Sequence, residues 1–184
     1  MRVTDHRYAG ERTRFDLALR MILLEARTCT IRQCTGLSDD RIRKLYKTYF
    51  PSSGRPLRRR RGKPPRQTSY YFKSAWMQFE ATTLAALATV FDLMRVTPPS
   101  ATFLATPETP EYGHLLCQAF ETYKQIHRPH RISFEHAWGL FEAIANSEEL
   151  TFETCRRCGG VYLHDALGLG STVCPACKLK PRLR

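Results

Sequence analysis

The chain has no run of apolar residues long enough to cross a bilayer. Residues 81–94 come nearest, but they are too few for a span and they include Asp92. The first ten residues are polar and charged, without the apolar centre of a signal peptide. There is no internal repeat, no His-Glu-x-x-His, no phosphate-cradling glycine loop and no nucleophile–base pair, so catalysis is not expected. Seven cysteines in 184 residues are too few for a disulfide-dense scaffold, and the number is odd. These absences predict a soluble, cytoplasmic protein with reduced thiols and no membrane partner. In that setting, paired cysteines point to a metal before they point to a disulfide.

Acidic residues are missing from one stretch in particular. Residues 41–73 hold twelve Lys or Arg and no Asp or Glu, whereas residues 74–151 hold four basic residues against nine acidic ones. The net charge of +12 is therefore concentrated in a basic arm rather than spread over the body. Charge alone admits nucleic acid, an acidic membrane or an acidic protein as partner. The apolar share of 42% is ordinary for a globular chain, enough to bury a core in one or two small domains.

Periodicity predicts a mainly α fold. Phe15, Leu17, Ala18, Met21, Ile22 and Leu24 recur at helical spacing over residues 15–26. A short helix over residues 28–34 leads to a turn at Gly36-Leu37-Ser38. Ser38 can cap a helix over Asp39–Tyr49, whose first-turn acids suit a helix N-terminus. Residues 51–69, rich in Pro, Gly, Ser and Arg, read as a linker. Helical periodicity returns over residues 70–95, and residues 96–107 read as a loop. A helix starts at Thr109-Pro110-Glu111, and another runs over residues 133–145. Trp76, Phe79, Trp138 and Phe141 read as core. The divisions expected are 1–50, helical and helix-turn-helix-like; 51–69, linker; 70–147, helical core and subunit interface; and 148–184, zinc ribbon.

The most specific signal lies near the C-terminus. Cys155-Arg-Arg-Cys158 and Cys174-Pro-Ala-Cys177 are two C-x-x-C units with fifteen residues between them, a spacing typical of four-cysteine zinc sites. Thiolates suit zinc because the ion is borderline soft, and four of them complete a tetrahedron. Gly159-Gly160 relaxes the backbone after the first pair and Pro175 stiffens the second. Residues 161–163 and 171–173 can pair as two short strands between the knuckles. A redox C-x-x-C usually opens a helix in a βαβ unit, which is missing here. Catalytic zinc keeps an open position, so four thiolates predict one structural Zn2+ per chain. His164 reads as a surface histidine, and Cys29, Cys34 and Cys117 as small packing residues in helices.

Arg58, Arg59, Arg60, Arg61 and Lys63 are dense enough to engage a phosphate backbone, and Arg41, Arg43, Lys44 and Lys47 carry the same charge onto the helix at Asp39–Tyr49. Phosphate contacts position a protein, so base reading would fall to that helix. With the turn before it, the helix has the outline of a helix-turn-helix, although Arg32 stands where such motifs commonly carry a small residue. Arg156, Arg157, Lys178 and Lys180 add positive charge at the cysteine pairs.

The order of these features resembles the FlhC family, subunits of the bacterial flagellar master transcriptional activator. The resemblance rests on the Leu37–Lys47 run (L-S-D-D-R-I-R-K-L-Y-K), the Pro-rich stretch after it, the aromatic helix containing Trp76, and the C-R-R-C-G-G and C-P-A-C pairs. It spans roughly residues 15–180. It implies a largely helical protein with a four-cysteine zinc site at Cys155, Cys158, Cys174 and Cys177. It also implies a hetero-oligomer with FlhD that binds double-stranded promoter DNA and activates flagellar operons, with RNA polymerase as a further candidate partner. The linker here is longer and more basic than the family pattern. An RNA- or ribosome-associated zinc-ribbon protein would show the same electrostatics and is the alternative reading.

Overall fold

The computed structural model describes residues 3–49, 60, 62, 65–146, 149–168 and 172–180. Among them are seven α-helices and four short strands, so the fold is mainly helical. No described helix is long and apolar enough to cross a membrane.

Helix α1 (Val3–Leu23) begins earlier than its apolar periodicity predicts, because residues 8–14 are mostly exposed and polar while Leu17, Ala18, Met21 and Ile22 are sealed. Helix α2 (Thr28–Thr35) ends at Gly36, whose φ of +67° favours glycine and whose N–H closes on the Arg32 carbonyl at 2.8 Å. Ser38 then accepts from the Arg41 N–H at 3.4 Å and starts α3 (Asp39–Tyr49). Ile42 and Leu45 face α1 and α2. Tyr46 is half-buried and donates to the Ala26 carbonyl at 3.1 Å, whereas Tyr49 is exposed.

The expected helical stretch over residues 70–95 divides into three pieces. A 310 helix (Thr68–Phe72) leads to α4 (Ala75–Val90), which is capped by Ser74 accepting from the Met77 N–H at 3.2 Å. Strand β1 (Met94–Thr97) follows and pairs antiparallel with β2 (Ser100–Phe103). Residues 96–107 were expected to form a loop; their first half is instead this hairpin, turned at Pro98-Pro99. Only Met94 of β1 is buried, so the hydrophobic alternation that marks a strand is weak there.

Thr109 caps α5 (Pro110–Ile126) by accepting from the Tyr112 N–H at 3.2 Å, as the Thr-Pro-Glu start predicts. Helix α6 (Phe134–Asn146) closes the core with Phe134, Ala137, Trp138 and Phe141. Trp76 departs from its expected core position. It sits in the first turn of α4 with 48% exposure, its ring under the Arg131 guanidinium at 5.6 Å.

Two buried carboxylates tie the loops to this core. Glu80 on α4 accepts from the Tyr123 hydroxyl, from the Arg131 N–H at 2.8 Å and from the Arg131 guanidinium at 2.6 Å. Glu135 on α6 accepts from the Arg27 N–H at 2.7 Å and the Thr30 hydroxyl at 3.2 Å, docking the α1–α2 turn.

Strand β3 (Leu150–Thr154) pairs with β4 (Val161–Asp165), and a last short helix, α7 (Pro175–Leu179), follows. The predicted partner of residues 161–163 was 171–173. The structure pairs them instead with β3, which alternates buried Leu150 and Phe152 with more exposed threonine and glutamate. Thr172 and Val173 are irregular, and Ser171 lies outside the described residues. Leu150, Phe152 and Leu163 enter the main core beside α4, where the Gln78 amide donates to the Leu163 carbonyl at 2.9 Å.

Candidate metal centre

The β3–β4 hairpin turns through the first cysteine pair. Cys155 follows β3 directly, its N–H bonded to the Gly160 carbonyl, and the Gly159 N–H returns to the Cys155 carbonyl, each at 2.9 Å. Gly159 takes φ of +71°, a conformation that a Cβ penalises, so the glycine after the pair has a definite backbone task. The second pair opens α7, with Cys174 at its N-cap and Pro175 in its first turn. The Arg156 N–H reaches the Thr172 carbonyl at 3.0 Å and joins the two turns.

This folding gathers Cys155, Cys158, Cys174 and Cys177, whose sulfurs all lie within 4.8 Å of one another. The Cys158 and Cys174 sulfurs are 3.7 Å apart. A disulfide needs about 2.05 Å, and all four cysteines are free. Four sulfurs about 2.3 Å from one ion stand about 3.8 Å apart at the corners of a tetrahedron. The set is therefore able to hold a metal ion such as zinc, with no fifth side chain among the described residues completing the group.

Backbone donors prepare the sulfurs for charge. Cys155 accepts from the Cys174 N–H at 3.2 Å and the Arg157 N–H at 3.4 Å, and Cys174 accepts from the Cys177 N–H at 3.4 Å. The bond from Cys174, followed by those from Arg157 and Cys158, pulls the Cys155 thiol down to about 6. Cys177 moves the other way, raised by hydrogen bonding to the Cys158 thiol and by burial. Burial also raises Cys174. Four crowded sulfurs cannot all ionise unaided, and a divalent cation removes that conflict.

The surroundings of the four sulfurs are mostly buried. Cys155, Cys174 and Cys177 are buried with Tyr162, Val173 and Ala176 in a small cluster apart from the main core; Cys158 is exposed. The Tyr162 hydroxyl donates to Glu153 at 2.9 Å. His164 stands on β4 with its Nε2 3.6 Å from Glu153, outside the sulfur group. Sequence reasoning missed β3, α7 and the Gln78 anchor. The alternation at residues 150–154 could have revealed β3; a glutamine in an otherwise apolar helix face gave no specific signal.

The remaining cysteines pack. Cys34 and Cys117 are buried, and burial raises both thiols, Cys117 to about 12. Cys29 is half-buried on α2.

The predicted basic residues separate into two groups. Arg41, Arg43, Lys44 and Lys47 are all exposed on α3. Arg43 meets Asp40 at 2.9 Å and Arg41 lies 3.8 Å from Glu11, both at the surface. Arg32 points outward to Asp39 at 3.3 Å, which explains how a large residue is accommodated before the turn. Arg60 differs from a free linker cation: it is half-buried and forks onto Glu25 at 3.0 and 3.2 Å. Arg58, Arg59, Arg61 and Lys63 lie outside the described residues.

Comparison with models of protein families gives no match, and a search of curated proteins gives no significant one.

Proposed function

We propose that this chain is a DNA-binding subunit of a transcriptional activator, with one structural zinc ion at Cys155, Cys158, Cys174 and Cys177. The observation that carries the reading is the pairing of a closed four-sulfur site with an exposed basic helix that follows a tight, glycine-closed turn. Zinc suits four cysteine sulfurs better than magnesium or calcium, which take oxygen ligands. With every position filled by sulfur, the ion has no place for substrate and its role is to hold the ribbon together.

Helices α2 and α3 supply the outline of a helix-turn-helix. Ile42 and Leu45 anchor α3 while Arg41, Arg43, Lys44 and Lys47 face outward to meet a duplex backbone. Arg58, Arg59, Arg61 and Lys63 would extend that contact along the arm. The resemblance to the FlhC family supplies the finer reading, a flagellar activator acting with an FlhD-type partner in the cytoplasm.

The test is binding of the purified, zinc-loaded chain to labelled duplex DNA and to single-stranded RNA across a salt series. The proposal expects preference for duplex and steep weakening with salt, at about 0.9 in log K per log salt for each phosphate contact. Replacing Arg41, Arg43, Lys44 and Lys47 by Gln should flatten that slope by about 3 to 4. Equal binding to both nucleic acids would transfer the assignment to an RNA-associated ribbon. No binding to either at low salt would end direct recognition by this chain.

A further inference from the structure

The metal centre is ringed by cations that the structural role leaves unused. Each knuckle places two beside a ligand: Arg156 and Arg157 between the first pair, and Lys178 and Lys180 just after the second. All four side chains are exposed. Their backbone is held in place. The Arg156 N–H bonds Thr172, the Arg157 N–H bonds the Cys155 sulfur, and the Lys178 and Lys180 N–H groups bond Cys174 and Ala176 carbonyls at 3.1 Å. The Arg157 guanidinium also spans to the Cys177 carbonyl at 3.3 Å, and the side chain remains exposed.

Acidic residues are scarce in the sequence around them. Asp165 is the sole acidic residue between positions 154 and 184. It sits at the end of β4 remote from the knuckle, where it accepts from the Leu167 N–H at 3.0 Å. Glu153 is engaged by Tyr162 and His164. The centre itself is the other source of negative charge. A divalent ion on four thiolates is a dianion, so four cations more than balance it and leave a surplus of two positive charges. That surplus, on turns held by backbone hydrogen bonds, is suited to binding an anionic polymer.

We infer that the two knuckles form a second contact for the duplex backbone, made by Arg156, Arg157, Lys178 and Lys180 and separate from α3. This rests on the proposed DNA-binding role and extends it. Helix α3 packs on α1 and α2, whereas the knuckles pack on α4. A duplex engaging both surfaces therefore meets two separate backbone contacts, fixed relative to one another by the helical core.

The experiment compares three variants of the full, zinc-loaded chain by the salt dependence of duplex binding. The first replaces Arg156, Arg157, Lys178 and Lys180 by Gln; the second replaces the four α3 cations; the third, a control, replaces the exposed Arg12, Arg14, Arg95 and Arg128. Zinc per chain and far-ultraviolet circular dichroism are measured alongside. The knuckle variant should keep its zinc and flatten the slope by about 3 to 4, and the control should leave it unchanged. If the four-fold change disturbs folding, Lys178→Gln with Lys180→Gln, which lies after the last ligand, should flatten it by about 2. Charge-retaining Arg156→Lys with Arg157→Lys should keep the original slope. A zinc-replete knuckle variant with an unaltered slope, beside an α3 variant that loses its own share, would overturn this inference alone. The cations would then serve only to balance the dianionic centre. An unmodified chain that binds no duplex would overturn it together with the proposed function.

Discussion

Glu80 and Glu135 are both sealed from solvent, yet their carboxyls respond in opposite directions. Burial raises Glu135 more than its donors from Arg27 and Thr30 lower it. For Glu80, burial is again the largest single influence and acts upward. Hydrogen bonds from Tyr123 and from the main and side chains of Arg131 together outweigh it and hold the carboxyl below the ordinary glutamate range. A carboxyl lowered on folding contributes stability that is complete above its unfolded value, about 4.3, and is lost as pH falls through the folded value. Glu80→Gln should therefore cost about 1–3 kcal/mol at neutral pH. In urea unfolding at pH 7 and pH 3.5, the variant should lose less stability on acidification than the parent. Equal losses would show that another group governs the acid limb. Gly139 offers a separate check at this scale. A Cβ there would stand 2.6 Å from the Pro65 carbonyl oxygen, a backbone atom with little room to yield. Gly139→Ala should cost about 1–3 kcal/mol by forcing residue 65 off α6. An unchanged denaturation midpoint would show that the segment yields freely.

Among the elements, those that announce themselves by end chemistry were legible from sequence. Gly36 and Ser38 set the α2–α3 turn, and Thr109-Pro110 set the start of α5. Thr109→Ala should accordingly cost about 1 kcal/mol, read as a lowered melting temperature. No shift would mean that the cap is supplied by other groups. The strands were harder to read. Strand β1 is mostly exposed, and β4 pairs with β3, just before the first cysteine pair, rather than with residues after the glycine loop. Local pattern does not specify a partner, because register is settled by which face the core buries. Here Phe152 and Leu163 stand opposite one another and both face the main core. Trp76 departs from its expected place in the core for a related reason. Its spacing fits the apolar face, but as the second residue of α4 it extends past the core and lies beneath Arg131.

For the whole molecule, the clustering of Cys155, Cys158, Cys174 and Cys177 could be read from spacing alone, because C-x-x-C pairs meet only through tight turns. How the ribbon joins the body could not, since it depends on Gln78, Thr82 and the inward side chains of β3 and β4. That junction has a consequence for stability. Leu150, Phe152 and Leu163 belong to the main core, so loosening the knuckles also withdraws apolar packing from α4. Metal binding would then contribute to the folding of more than the ribbon. Zinc content and duplex binding are to be measured together on the native chain, on chain treated with chelator, and on Cys174→Ser. The expected result is one zinc per chain, with a folded ribbon and duplex affinity both lost when the ion or Cys174 is removed and both restored to the native chain by zinc. Metal-free chain that stays folded and binds duplex as before would contradict it.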